Sequence, residues 1–85
     1  MKGIFRTTGQ GPDNTEVGLR VEQAIPFVPP LGAMVAPIPG GSFMEVEGVM
    51  WDAARPMEVE LHVADPAGLE LAESMRFLGW TVEVW

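Results

Sequence analysis

The chain contains no cysteine. No disulfide can therefore staple it, and no thiolate can bind a metal or attack a substrate. Histidine occurs once, as His62, so a transition-metal site would have to be completed by carboxylates. The serines are Ser42 and Ser74; neither sits in a G-x-S-x-G turn, and neither has a histidine close in sequence. Gly9-Gln10-Gly11 lacks the length and the Lys-Ser/Thr ending of a phosphate-binding loop. No segment has the Asp/Asn/Gly spacing of a calcium loop. Paired carboxylates for glycoside chemistry need a cleft, which a domain this small rarely builds. These absences point away from an enzyme and away from a bound cofactor.

Positive charge is also scarce. Five basic residues face twelve acidic ones, for a formal charge of −7. Such a chain repels phosphate backbones, so direct nucleic-acid binding is not expected, whereas docking to a basic protein surface is. No apolar run approaches the ~20 residues of a membrane span. The first ten residues hold one Lys and one Arg but no long apolar segment, so they do not read as a signal peptide. A cytoplasmic protein without membrane contact is the resulting expectation.

What is present fits one domain, residues 1–85. Hydrophobic residues make up 47% of the chain and charged residues 20%, a globular balance. Long helix formers are few, while Val, Gly and Pro are abundant, which favours strands and turns. Lys2 to Thr8 reads as a short strand, and Gly9 to Asn14 as a loop. In Thr15 to Gln23, Val17, Leu19 and Val21 alternate with Glu16, Arg20 and Glu22, the period of a half-buried strand.

The uncharged segment "PFVPPLGAMVAPIPGG", residues 26–41, has a core's composition rather than a linker's. Pro29-Pro30-Leu31-Gly32 and Pro39-Gly40-Gly41-Ser42 suit tight turns. Ala33 to Ile38 between them suits an edge strand, since Pro37 cannot donate to a ladder. Pro26-Phe27-Val28-Pro29 has PxxP spacing, but the nearest basic residue is Arg20.

The clearest pattern follows. Met57, Val59, Leu61 and Val63 alternate with Glu58, Glu60 and His62. Met44 and Val46 alternate with Glu45 and Glu47, until Gly48 shifts the phase toward Val49 and Trp51. A glycine where alternation slips marks a β-bulge, and Asp52 to Pro56 closes an antiparallel hairpin. Asp65-Pro66 then reads as an N-cap and first helical residue, with Ala67, Leu71, Met75 and Leu78 on one stripe. Gly79 ends that helix, with Trp80 folding back on Met75 as in a Schellman cap. The last strand sets Trp80, Val82 and Val84 inward, and Thr81, Glu83 and Trp85 outward.

The fold expected is α+β: a small antiparallel sheet of five or six short strands, curled or partly barrel-like. One helix, about residues 66–78, packs before the last strand. Glu45, Glu47, Glu58 and Glu60 should share one face of the hairpin and form an acidic surface for a basic partner. If the bulge sets the register, Glu45 faces His62 and Glu47 faces Glu60. Glu45, Glu60 and His62 are then the candidate metal-binding or pH-sensitive cluster. Leu69, Phe77 and Trp85 fall off the apolar stripes and form a candidate apolar contact. The leading functional expectation is a non-catalytic protein-binding module, an accessory or inhibitory factor. The alternatives are a subunit that self-assembles by an edge strand or apolar patch, and a small-molecule or metal-dependent module.

Overall fold

The computed structural model describes residues 1–83. Six strands run as β1 (Lys2–Gln10), β2 (Glu16–Ala24), β3 (Met34–Val35), β4 (Met44–Met50), β5 (Glu58–Ala64) and β6 (Thr81–Glu83), with one helix, α1 (Ala72–Leu78), before the last strand. They form one sheet in the order β3-β4-β5-β1-β2-β6. The α+β class, the strand number and the place of the helix agree with the sequence reading. The all-antiparallel arrangement does not. β1 enters between β5 and β2 and runs parallel to β5, from Lys2 against Glu58 to Arg6 against His62. The sheet is therefore mixed, and it stays open with β3 and β6 at its edges.

Local chemistry explains the antiparallel parts. β1 and β2 pair along their full length, from Lys2 against Ala24 to Gln10 against Glu16. The connection is a tight turn, Pro12–Asn14, with Asp13 and Asn14 in the left-handed region at φ 58° and 59°. Short polar side chains tolerate that conformation. β4 and β5 form the expected hairpin, and the register slips between Val46 and Gly48, where the sequence places the bulge. The Asp52 carbonyl accepts from the Arg55 amide to close the hairpin turn.

One face of the sheet is buried. Phe5, Leu19, Val46, Val59, Leu61, Val63 and Trp80 pack with Ala72 and Met75 of α1. The helix meets β1 at Gly9, where an added Cβ would stand 2.7 Å from Leu19 Cδ1 and 3.1 Å from Ala72 Cα. Only glycine admits so close a backbone. α1 is shorter than the sequence suggests. Asp65 Oδ1 accepts from the Ala67 amide and the Asp65 carbonyl from that of Gly68, so Asp65-Pro66 opens a turn rather than the helix. The Gln10 amide then donates to the Glu70 carbonyl before α1 begins. Ala67, Leu71 and Leu78 are exposed, so of the expected stripe only Met75 is buried, with Ala72 beside it. The C-terminal cap is as expected: the Trp80 amide donates to the Met75 carbonyl at 3.1 Å.

The proline-rich segment completes the cover. Ile25, Ala33, Val35 and Ile38 pack against the core, and Pro29 and Pro37 are buried. Pro30–Ala33 and Ile38–Gly41 are hydrogen-bonded turns, with Gly32 and Gly40 at φ 82° and 77°. A positive φ at the third residue is the type II geometry that favours glycine. Only Met34 and Val35 pair as a strand, at the edge of the sheet as Pro37 implies. Met57, expected on the inner stripe, lies in the hairpin turn and is exposed.

Two glycine substitutions separate close packing from mere space. Gly9→Ala should lower unfolding free energy by roughly 1–3 kcal/mol, the usual range for overpacking. Gly48→Ala meets only ordinary contact with His62 Cβ at 3.4 Å. It should change stability by no more than about 0.5 kcal/mol, as surface substitutions usually do. Urea titration of both variants measures the difference.

Candidate functional site

Strand alternation puts the opposite side chains on the helix-free face. The registers order them in rows across the sheet. Met50, Glu60, Ile4 and Glu22 form one row; Gly48, His62, Arg6, Arg20 and Thr81 form the next. Beyond these, Ala64 stands opposite Glu45 on β4, and Gly18 lies between Thr8 and Glu83. The first two rows carry mostly long side chains. The third is floored by Ala64, Thr8 and Gly18. The drop between them leaves a depression of about 670 Å³, reaching from Glu47, Gly48 and Met50 on β4 to Glu83 on β6.

The charged side chains beside this depression hold one another. Arg6 Nε lies 2.8 Å from Glu60 Oε1, and Arg6 Nη1 lies 3.5 Å from Glu83 Oε2. The Nε–H is sealed from solvent and makes no aligned hydrogen bond, so this contact is an ion pair only. Lys2 bridges Glu22 at 3.3 Å and Glu58 at 3.4 Å, and Arg20 also pairs with Glu22. Hydrogen bonds from Arg20 and then Lys2 hold the Glu22 carboxyl below its ordinary range. The hydrogen bond to Glu22 raises the Lys2 ammonium in turn.

These pairs revise the acidic surface. Glu45, Glu58 and Glu60 do lie on one face, but Lys2 and Arg6 reach Glu58 and Glu60 from β1. Among the described residues, Glu45 and Glu47 are exposed and stand outside every ion pair. The register also differs from the expectation. Glu45 stands opposite Ala64 instead of His62, and Met50 instead of Glu47 faces Glu60. The reason is the bulge itself, because Glu47 is the extra residue between Val46 and Gly48.

The expected metal cluster is therefore split. His62 Nε2 lies 3.0 Å from Glu60 Oε2, while Glu45 belongs to another row. Among the described residues, no group of three or more His, Asp or Glu could hold a metal ion. Of the apolar candidates, Phe77 is 93% exposed at the end of α1. Leu69 is also exposed but sits in the segment before the helix, outside α1 itself. Trp85 lies outside the described residues. Sequence reasoning missed Lys2, Arg6, Thr8, Gly18 and Glu83. Their strands show alternation, but nothing local says that β1 borders β5 or that β6 borders β2.

The Glu22 pairing sets a pH dependence with a defined sign. Its folded-state pKa lies below the ordinary 4.5, so its contribution is present above that value and lost as pH falls through the folded one. Glu22→Gln should therefore lose less stability than the parent between about pH 5 and about pH 3. The effect should be small, because the pair is exposed and screened. Denaturant titrations at the two pH values check it.

No protein family, curated protein or solved structure matches the chain, so its functional reading rests on this geometry.

Proposed function

We propose that the protein is a small non-catalytic binding module that docks on a partner protein through the helix-free face of its sheet. The observation that carries this reading is the step in that face, with a floor of Ala64, Thr8 and Gly18 beside a bank of paired charges. Small residues inside strands weaken a sheet by giving up packing, and they suit close approach by another backbone. Side chains already held in ion pairs lose less freedom when a partner arrives. The chemistry offered is shape, hydrogen bonding and charge, which suits recognition.

The test is placement of a photo-crosslinking amino acid in cells that express the protein. At Thr8 it should give a discrete protein adduct; at Ser74, on the far layer, it should not. A Thr8 variant that folds and yields no adduct overturns the reading.

A second reading has its own support. Met50, Trp51 and Met57 are 48%, 59% and 66% exposed around the end of the β4–β5 hairpin. Apolar groups of this size are favoured at contacts between copies. Under this reading the protein dimerises, and Trp51→Ser with Met57→Ser makes it monomeric in size-exclusion chromatography with light scattering. A parent that is monomeric at the highest attainable concentration removes it.

A further inference from the structure

The occupant of the depression can be specified further. This step rests on the helix-free face being the docking surface. We infer that it receives an extended, basic segment of the partner, laid across the strands, with one cationic side chain at each end. Charge complementarity selects the sign. Glu47 marks the β4 end of the depression and Glu83 the β6 end. Glu45 and Glu47 stand outside every ion pair described. Arg6 is the cation that lines the wall, and two carboxylates, Glu60 and Glu83, already engage it. Glu47 leaves the β4 end negative, and at the β6 end one Arg6 charge is shared by two carboxylates, so the balance there is negative too, as is that of the whole chain, at −7. An incoming anion would meet these carboxylates first; a cation would find Glu47 free.

Dimensions select an extended chain. From β4 to β6 the sheet order crosses β5, β1 and β2. Those four spacings total about 19 Å at ~4.8 Å each. A strand rising ~3.3 Å per residue covers that distance in about seven residues. Its first and last side chains then point to the same face, because the period is two. Small side chains between them let the backbone settle closely onto Ala64, Thr8 and Gly18. The recognised pattern is thus a basic residue, small residues at alternate positions, and a second basic residue six positions after the first.

Nuclear magnetic resonance titration of the intact protein with synthetic peptides tests this directly. The probe is Lys-Ser-Ala-Ser-Ala-Ser-Lys, beside the same peptide with Glu for both Lys, and a shortened Lys-Ser-Ala-Ser-Lys. At low salt the first peptide should shift the amides of Thr8, Gly18, Gly48 and Ala64, and bind at least about tenfold more tightly than either control. Glu47→Gln combined with Glu83→Gln should remove most of that preference, and raised salt should weaken it by screening. Equal binding of the three peptides, preference for the Glu peptide, or shifts confined to other residues would overturn the inference. So would movement of the same amides with protein concentration alone, which would assign the face to a second copy. A crosslinked partner at Thr8 that carries no basic extended segment would sink this inference and leave the docking surface standing.

Discussion

A seven-residue helix cannot cover a six-stranded sheet. At ~1.5 Å per residue α1 is about 10 Å long, whereas six strands at ~4.8 Å spacing extend about 24 Å. Every other feature of the buried layer answers this shortage. Gly9 lets the helix sit hard against β1, so that Ala72 and Met75 fill the space over the β1–β2 pair. The remaining cover comes from the proline-rich segment. Prolines give it a backbone with few unfolded alternatives and few amides to satisfy, so it can lie over a core without forming a second helix. Gln23 fastens it by donating from Nε2 to the Pro37 carbonyl at 2.7 Å.

Elements set by neighbouring residues were legible in the sequence. The β4–β5 alternation, the slip at Gly48, the two glycine turns and the cap at Gly79 each follow from side-chain period or backbone sterics over a few positions. Asp65-Pro66 misled because an Asp that caps a helix and an Asp that closes a turn accept the same amide hydrogen bonds. What followed, the Gln10–Glu70 contact, decided between them. The place of β1 was not legible. Its alternation fits any partner strand, and nothing near Lys2 or Arg6 announces Glu58 or Glu60.

That one insertion changes the electrostatic character of the molecule. An isolated β4–β5 hairpin would present four glutamates. In the assembled sheet β1 brings Lys2 and Arg6 alongside two of them. β2 adds Arg20 beside Glu22. Charge that composition presents as a uniform excess is therefore sorted in space. It is neutralised where β1 crosses and left free at the β4 bulge, where Glu45 and Glu47 stand. The bulge also blunts the part of β4 that two-residue β3 leaves unpaired, since an extra residue breaks the regular ladder that another chain would extend.

The central, parallel strand has a further consequence, for the order in which the protein forms. Lys2 and its partner Glu58 are separated by 56 positions. During synthesis the β1–β2 hairpin can close early, but it holds only one flank of β1. The other flank, with Ile4 and Phe5 beside it, waits until residue 62 has left the ribosome. Distant pairings of this kind delay the rate-limiting step, because a long loop must be closed before its contacts reward it. Until β5 is available, β1 therefore keeps one flank of its nine residues without a partner strand.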